Sequence, residues 1–274
     1  MANERMEFTG ERMVPEGAGA CTFWEHIERY RFASRWVAGR RVLDIASGEG
    51  YGSSALLRAG AASVIGVDID EDSCRHAASK YGVDARVGSG EAIPLAAGSV
   101  DLVVSFETIE HIGDPGKFLD EILRVLTPGG TVVISTPDKE QYNTLAAEQN
   151  HFHCSEMSEK QFMEQVEARF VGVKYYGQGP NSSKWWTPES LVSRNSPWDK
   201  VKGLGRVKRK IWRWSSGRRW DYVPESDRLD PVQVILVDKR SWLLRKLDWF
   251  SIRHISPGAA WRPVYWIAVA KRKS

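Results

Sequence analysis

Two short strings hold most of the side chains able to do chemistry. FETIEHIGD gathers Glu107, Glu110 and His111, and NHFHCSE brings His151 and His153, the latter forty-two residues after His111. Two carboxylates and one or two imidazoles suit a divalent cation such as Mg²⁺ or Mn²⁺, although carboxylate-rich ligation does not fix the metal. Held there, a cation would chelate neighbouring hydroxyls of a diol and lower the pKa of one, leaving a histidine or a hydroxide to take the proton. Without a cation, His111 or His153 becomes a general base and Glu110 orients it. The candidate metal ligands are Glu107, Glu110, His111 and a histidine of NHFHCSE, and the candidate catalytic residues are Glu110, His111 and that histidine. Cys154 lacks soft partners for zinc, and Cys21, Cys74 and Cys154 form no CxxC pair, which points to reduced thiols.

A second constellation is VLDIASGEGYG, residues 42–52. Asp44 ends an apolar run, and Gly48, Gly50 and Gly52 follow where the chain turns toward a helix. Missing side chains let a ligand lie against backbone, as dinucleotide-binding folds do with pyrophosphate. Glu49 argues against that ligand, because a carboxylate in the loop repels pyrophosphate and suits an ammonium group beside a sulfonium. Asp68, at the end of the next apolar run, is placed to accept hydrogen bonds from two ribose hydroxyls.

These residues need a frame that carries them to one edge. RVLDIA, SVIGVDI, DARV, SVDLVVSF and GTVVIST read as strands, and SSALLRAG, DSCRHAASKYG and DPGKFLDEILRVL as the helices between them, the pattern of an α/β parallel sheet. TPGG reads as the turn into the fifth strand. A helix is expected over 24–37 and further strands over 170–176 and 264–270. The expected organisation is an N-terminal lid and helix (1–40), a ligand-binding core (41–180), an acceptor-binding insertion (181–262), and the last strand with a basic tail (263–274). Charge follows this division. Residues 181–274 hold 21 Lys plus Arg against 8 Asp plus Glu, a net of +13, and residues 1–180 carry −10. Ten of the twelve tryptophans lie in the basic part, a surface suited to nucleic acid, anionic lipid or a sugar phosphate. No signal-type segment and no run of ~18 apolar residues is found, so a cytoplasmic protein without a transmembrane segment is expected. SWLLRKLDWF leaves peripheral membrane contact open, and a homodimer is compatible with the sequence.

From Val42 to Thr136 the chain resembles the class I S-adenosylmethionine-dependent methyltransferases. The resemblance implies a Rossmann-like, mostly parallel sheet of seven strands with helices on both faces. It places Asp44, Ala46, Gly48 and Gly50 at the methionine part of S-adenosylmethionine, Asp68 and Ile69 at ribose and adenine, Gly90, Glu91 and Ala92 of GSGEAIPL at the adenine edge, and Phe106 beside them. Relatives often carry Asp where Ser89 stands, so the adenine amino contact falls to Ser89 or Glu91. ExxEH resembles the metal-binding segment of ubiquinone-pathway O-methyltransferases and of small-RNA 2′-O-methyltransferases, and in the RNA enzymes the interval from His153 to Phe162 recurs, which selects His153 over His151. FTGERMVPE with WEHIERYRFA, extending to HFHCSEMSEKQF, resembles bacterial methyltransferases of glycans and, more loosely, those of mycobacterial methylmannose polysaccharides. That likeness implies substrate contacts from Arg12, His26 and Tyr30, and the insertion adds Trp185 and Trp186 as sugar-facing aromatics. The expectation is Mg²⁺-assisted O-methylation of a saccharide hydroxyl in polysaccharide biosynthesis. The alternatives are an RNA ribose 2′-hydroxyl, a phenol, quinone or glycosylated metabolite, and a noncatalytic S-adenosylmethionine-binding module.

Overall fold

The computed structural model describes residues 13–14, 20–145, 152–179, 232, 252–256 and 261–273. Its centre is a sheet of eight strands: β1 (Arg41–Ile45), β2 (Ser63–Asp68), β3 (Asp84–Val87), β4 (Val100–Ser105), β5 (Leu126–Pro137), β6 (Val171–Gln178), β7 (Ile252–His254) and β8 (Tyr265–Lys271). They lie in the order β3-β2-β1-β4-β5-β8-β6-β7. The first five are parallel, and β8 enters antiparallel between β5 and β6. The strand count is eight rather than seven because Ile252–His254, inside the segment read as insertion, pairs antiparallel with β6 at the sheet edge.

Successive residues of a strand face opposite sides, and the core divides accordingly. Leu43, Val103 and Val132 join one apolar layer with Phe118, Ile122 and Phe162. Val42, Leu102 and Val133 join the other with Ile27, Leu56 and Ile267. Strands buried on both faces read as continuous apolar runs, which is why these were visible in the sequence. Helix α1 (Ala20–Ala33) and α2 (Tyr51–Arg58) contact each other. Beyond α3 (Glu71–His76), α4 (Pro115–Val125) starts on Asp114, whose carboxylate accepts from Lys117 N, with Pro115 preset for the first turn. Two helices follow, α5 (Lys139–Leu145) and α6 (Glu159–Glu167), the latter opened by a reciprocal Ser158–Gln161 capping box.

TPGG is not a turn before the fifth strand. Leu126 already pairs with Val100, pairing resumes at Thr131 with Leu102, and the four residues between are an irregularity within β5, with Gly129 at φ 73°. Among the described residues no helix is long and apolar enough to cross a membrane.

Candidate functional site

The chain leaves β1 toward β2 on one side, while β4 flanks β1 on the other, and in open parallel sheets the crevice beyond such strand ends is where ligands bind. A cavity of about 450 Å³ opens there. One half of it is made largely by the ends of β1, β2 and β4. Ala46 and Gly48 line it with left-handed backbones, φ 57° and 55°, and a Cβ on Gly48 would meet nothing within 4 Å. Asp68 holds this loop: its Oδ2 accepts from Gly48 N at 2.7 Å and its Oδ1 from Asp70 N at 3.0 Å. Ile69, Ser89, Gly90 and Phe106 also line the cavity.

The other two loop glycines serve packing. A Cβ at Gly50 would lie 2.5 Å from the Ala77 side chain, and one at Gly52 would lie 2.0 Å from the Tyr30 ring. Asp44 sits behind the lining, 1% exposed, accepting from Ser53 Oγ at 2.6 Å and from Tyr30 OH at 3.2 Å. Burial pushes its pKa up to about 7, against the pull of the Ser53 and Tyr30 hydroxyls. Tyr30 faces the cavity but is occupied by Asp44 and packs edge-on to Phe106, so it is a wall built on Gly52. Glu91 and Ala92 do not line the cavity; the Glu91 carboxylate accepts from Asp114 N, and Ala92 bridges Ser89.

Glu49 does not face the cavity, contrary to the expectation of a carboxylate beside the ligand. Its carboxylate turns from the cavity into the layer behind, where it meets His76 Nε2 at 3.3 Å, Lys80 Nζ at 3.7 Å and the Tyr81 hydroxyl at 3.0 Å. What does separate a cationic ligand from pyrophosphate is the lining itself. It includes the carboxylates of Glu25, Asp68, Glu107 and Glu110, and no Lys or Arg among the described residues.

The other half is assembled from distant segments. Glu110 carbonyl accepts from Cys154 N and Ser155 N, both at 2.9 Å, which stitches the chain after Phe152 onto the turn after β4. His153 thereby meets His111 edge to face at 4.8 Å, and Glu110, His111 and His153 offer ligand atoms all within 4.8 Å of one another. His111 Nδ1 lies 3.0 Å from the Phe152 carbonyl and His153 Nδ1 2.9 Å from Glu156 Oε1. Those oxygens accept, so each Nδ1 donates to its neighbour, the arrangement by which outer contacts orient metal-binding histidines. Glu110 is fully buried, and its Oε1 has no hydrogen-bond partner among the described residues. Burial and the neighbouring Glu107 hold its pKa well above the usual carboxylate range.

Glu107 is not brought into this cluster. Its left-handed backbone, φ 51°, turns the carboxylate to Ser135 Oγ at 2.6 Å and to Arg29 Nη1 at 3.2 Å. Arg29 is 1% exposed, donates to Gln178 Oε1 and stacks on Tyr265. His26 lines the cavity beside the Tyr51 hydroxyl, with burial and Arg29 holding it well below the usual imidazole pKa. Arg12, His151, Trp185 and Trp186 lie outside the described residues. Sequence reasoning missed Glu25, Arg29, Tyr142 and Tyr265. The one available signal was an acid and a base spaced i, i+4 on α1, a pairing usually read as solvated surface.

Residues 43–134 match the methyltransferase domain family. The chain is 37% identical over 166 residues to a Mycolicibacterium smegmatis protein named a probable S-adenosylmethionine-dependent methyltransferase, with 59% of this chain and 64% of that one aligned. A Mycobacterium tuberculosis protein of the same description is 34% identical over 178 residues, 63% of this chain and 64% of that one. The chain thus spans under two thirds of the length of these relatives. The fold is shared with a Thermotoga maritima SAM-dependent methyltransferase, TM-score 0.57 at 15% identity, covering 92% of this chain and 93% of that one.

Proposed function

We propose that the protein is an S-adenosylmethionine-dependent O-methyltransferase acting on a saccharide hydroxyl, assisted by a divalent cation. The observation carrying this reading is one cavity that joins the Gly48–Asp68 half, proposed as the donor half, to the Glu110–His111–His153 half, proposed as the acceptor half. S-adenosylmethionine fits the first half: open space over Gly48 admits a ligand against backbone, Asp68 at the end of β2 suits ribose hydroxyls, and the carboxylate-bearing lining suits a sulfonium. Ser89, which lines the cavity, is better placed for the adenine amino contact than Glu91, whose carboxylate is engaged by Asp114 N. When bound, the cofactor supplies a methyl that needs no activation, so the chain's task is to align the acceptor and take its proton.

Glu110, His111 and His153, with ligand atoms within 4.8 Å of one another and a Glu110 oxygen that has no partner among the described residues, fit a divalent cation. With Glu107 diverted to Arg29, this set suits an ion that accepts imidazole, such as Mn²⁺, better than Mg²⁺, which prefers oxygen. Such an ion would lower the pKa of a bound hydroxyl. Glu110 and the histidines would hold it, with Phe152 carbonyl and Glu156 fixing the rings. RNA remains the second reading on the strength of the +13 charge of residues 181–274. It would require binding that falls steeply with added salt. The test is methyl transfer from labelled S-adenosylmethionine to mannose oligosaccharides and to RNA, before and after chelation. We expect saccharide product, lost on chelation and restored best by Mn²⁺; full activity after chelation would remove the cation from the account.

A further inference from the structure

One wall of the cavity is unused by the chemistry above. Glu25 on α1 lines the cavity, and its Oε2 accepts from Tyr265 OH at 3.1 Å while lying 4.0 Å from Arg29 Nη2. Its Oε1 accepts no hydrogen bond among the described residues. Tyr265 is fixed on both sides: Arg29 lies 4.3 Å from its ring centre, and Tyr142 meets it at 6.1 Å. Tyr142 in turn lies 5.3 Å from His153. Glu25 is thus linked through two tyrosines to the histidine cluster and belongs to the acceptor half. The donor half is walled separately by Tyr30, Tyr51 and Phe106.

The charge on this wall is one-sided. Arg29 lies behind the lining, shared between Glu107 and Glu25, while the carboxylates face the cavity. A carboxyl oxygen held in place but lacking a donor accepts a hydrogen bond from a hydroxyl, and above the pH at which Glu25 ionises it also repels a phosphate.

We infer that Glu25, held by Tyr265, is a specificity residue that accepts a hydrogen bond from an acceptor hydroxyl neighbouring the one methylated, so that the site takes uncharged polyols and turns away their phosphorylated forms. This rests on the saccharide reading above. Glu25 and Tyr265 leave the donor half untouched, so acceptor and cofactor effects separate.

The test compares wild type, Glu25→Gln and Tyr265→Phe in steady-state methylation of a mannose oligosaccharide and its 6-phosphorylated counterpart, with S-adenosylmethionine affinity measured by calorimetry on the same preparations. Glu25→Gln should raise KM for the neutral saccharide about tenfold, the size of one hydrogen bond to a charged group. Tyr265→Phe should raise it less, and cofactor affinity should stay within about twofold for both. Wild type should prefer the neutral acceptor, and Glu25→Gln should narrow that preference. An active wild type with an unchanged KM in Glu25→Gln would overturn the role of Glu25 alone. A wild type that binds cofactor but methylates neither saccharide would overturn the saccharide reading and this inference with it. If Glu25→Gln lost cofactor binding as well, the loss would be structural, and Tyr265→Phe, which removes one oxygen and keeps the ring, would decide the matter by its KM.

Discussion

The donor half and the acceptor half of the cavity are built by different physics. The donor half uses backbone: Gly48 and Ala46 in left-handed conformation, an amide tied to Asp68, and aromatic walls on a glycine at position 52. The acceptor half uses buried charge: Arg29 between Glu25 and Glu107, and Glu110 without a partner for one oxygen. Backbone sites tolerate change in the surrounding side chains, whereas buried charges hold only while every partner remains. The first half can thus keep one ligand while the second is altered for different acceptors.

The comparison breaks most visibly at His111. His111→Ala should lower kcat by roughly 10²–10⁴ with cofactor affinity nearly unchanged, because the residue belongs to the acceptor half alone. A matching loss of cofactor binding would merge the two halves. Gly52→Ala comes next. Its methyl would enter the Tyr30 ring, which Asp44, Tyr51 and Phe106 pin, so about 1–3 kcal/mol of stability should be lost. Replacing Tyr30 by Leu in the same chain should recover part of it; denaturant melts of both variants would read the coupling, and additive losses would contradict the contact.

The smallest effect concerns pH. Asp44 and Glu25 both rise to about 7, chiefly through burial, from ordinary values of 3.8 and 4.5. The folded chain therefore holds these protons where the unfolded chain has released them. Their contribution to stability is complete below the ordinary values, declines as pH rises toward 7, and changes little above it. Asp44→Asn cannot lose a proton, so its melting temperature should fall less steeply than that of wild type between pH 5 and pH 7. Parallel slopes would mean that Asp44 titrates normally.

The same contrast explains what the sequence made legible. β1, β2, β4 and β5 carry apolar runs, and the loop after β1 sits within one stretch of chain, so these strands and the place of the Gly48 loop could be read locally. Spacing does not say which way a loop residue points, and so Glu49 was placed at the ligand although it turns to His76 and Lys80. Glu107 matched a metal-binding string, yet a left-handed backbone hands it to Arg29. β7 has three residues, Ile-Arg-His, too few to show a period. Glu25 and Tyr265 lie 240 residues apart, and only the crossing of α1 over β8 brings them together.

The claim that most of this depends on is that Asp68 and the Gly48 loop hold the donor nucleoside. Calorimetric titration of S-adenosylmethionine into wild type, Asp68→Ala and Glu25→Gln tests it directly. Saturable binding in wild type and Glu25→Gln, with a loss of about a hundredfold or more in Asp68→Ala, is the result predicted for an Asp68 that would meet the ribose and that fixes the Gly48 amide. Equal affinity in Asp68→Ala, or no binding to wild type, would contradict it.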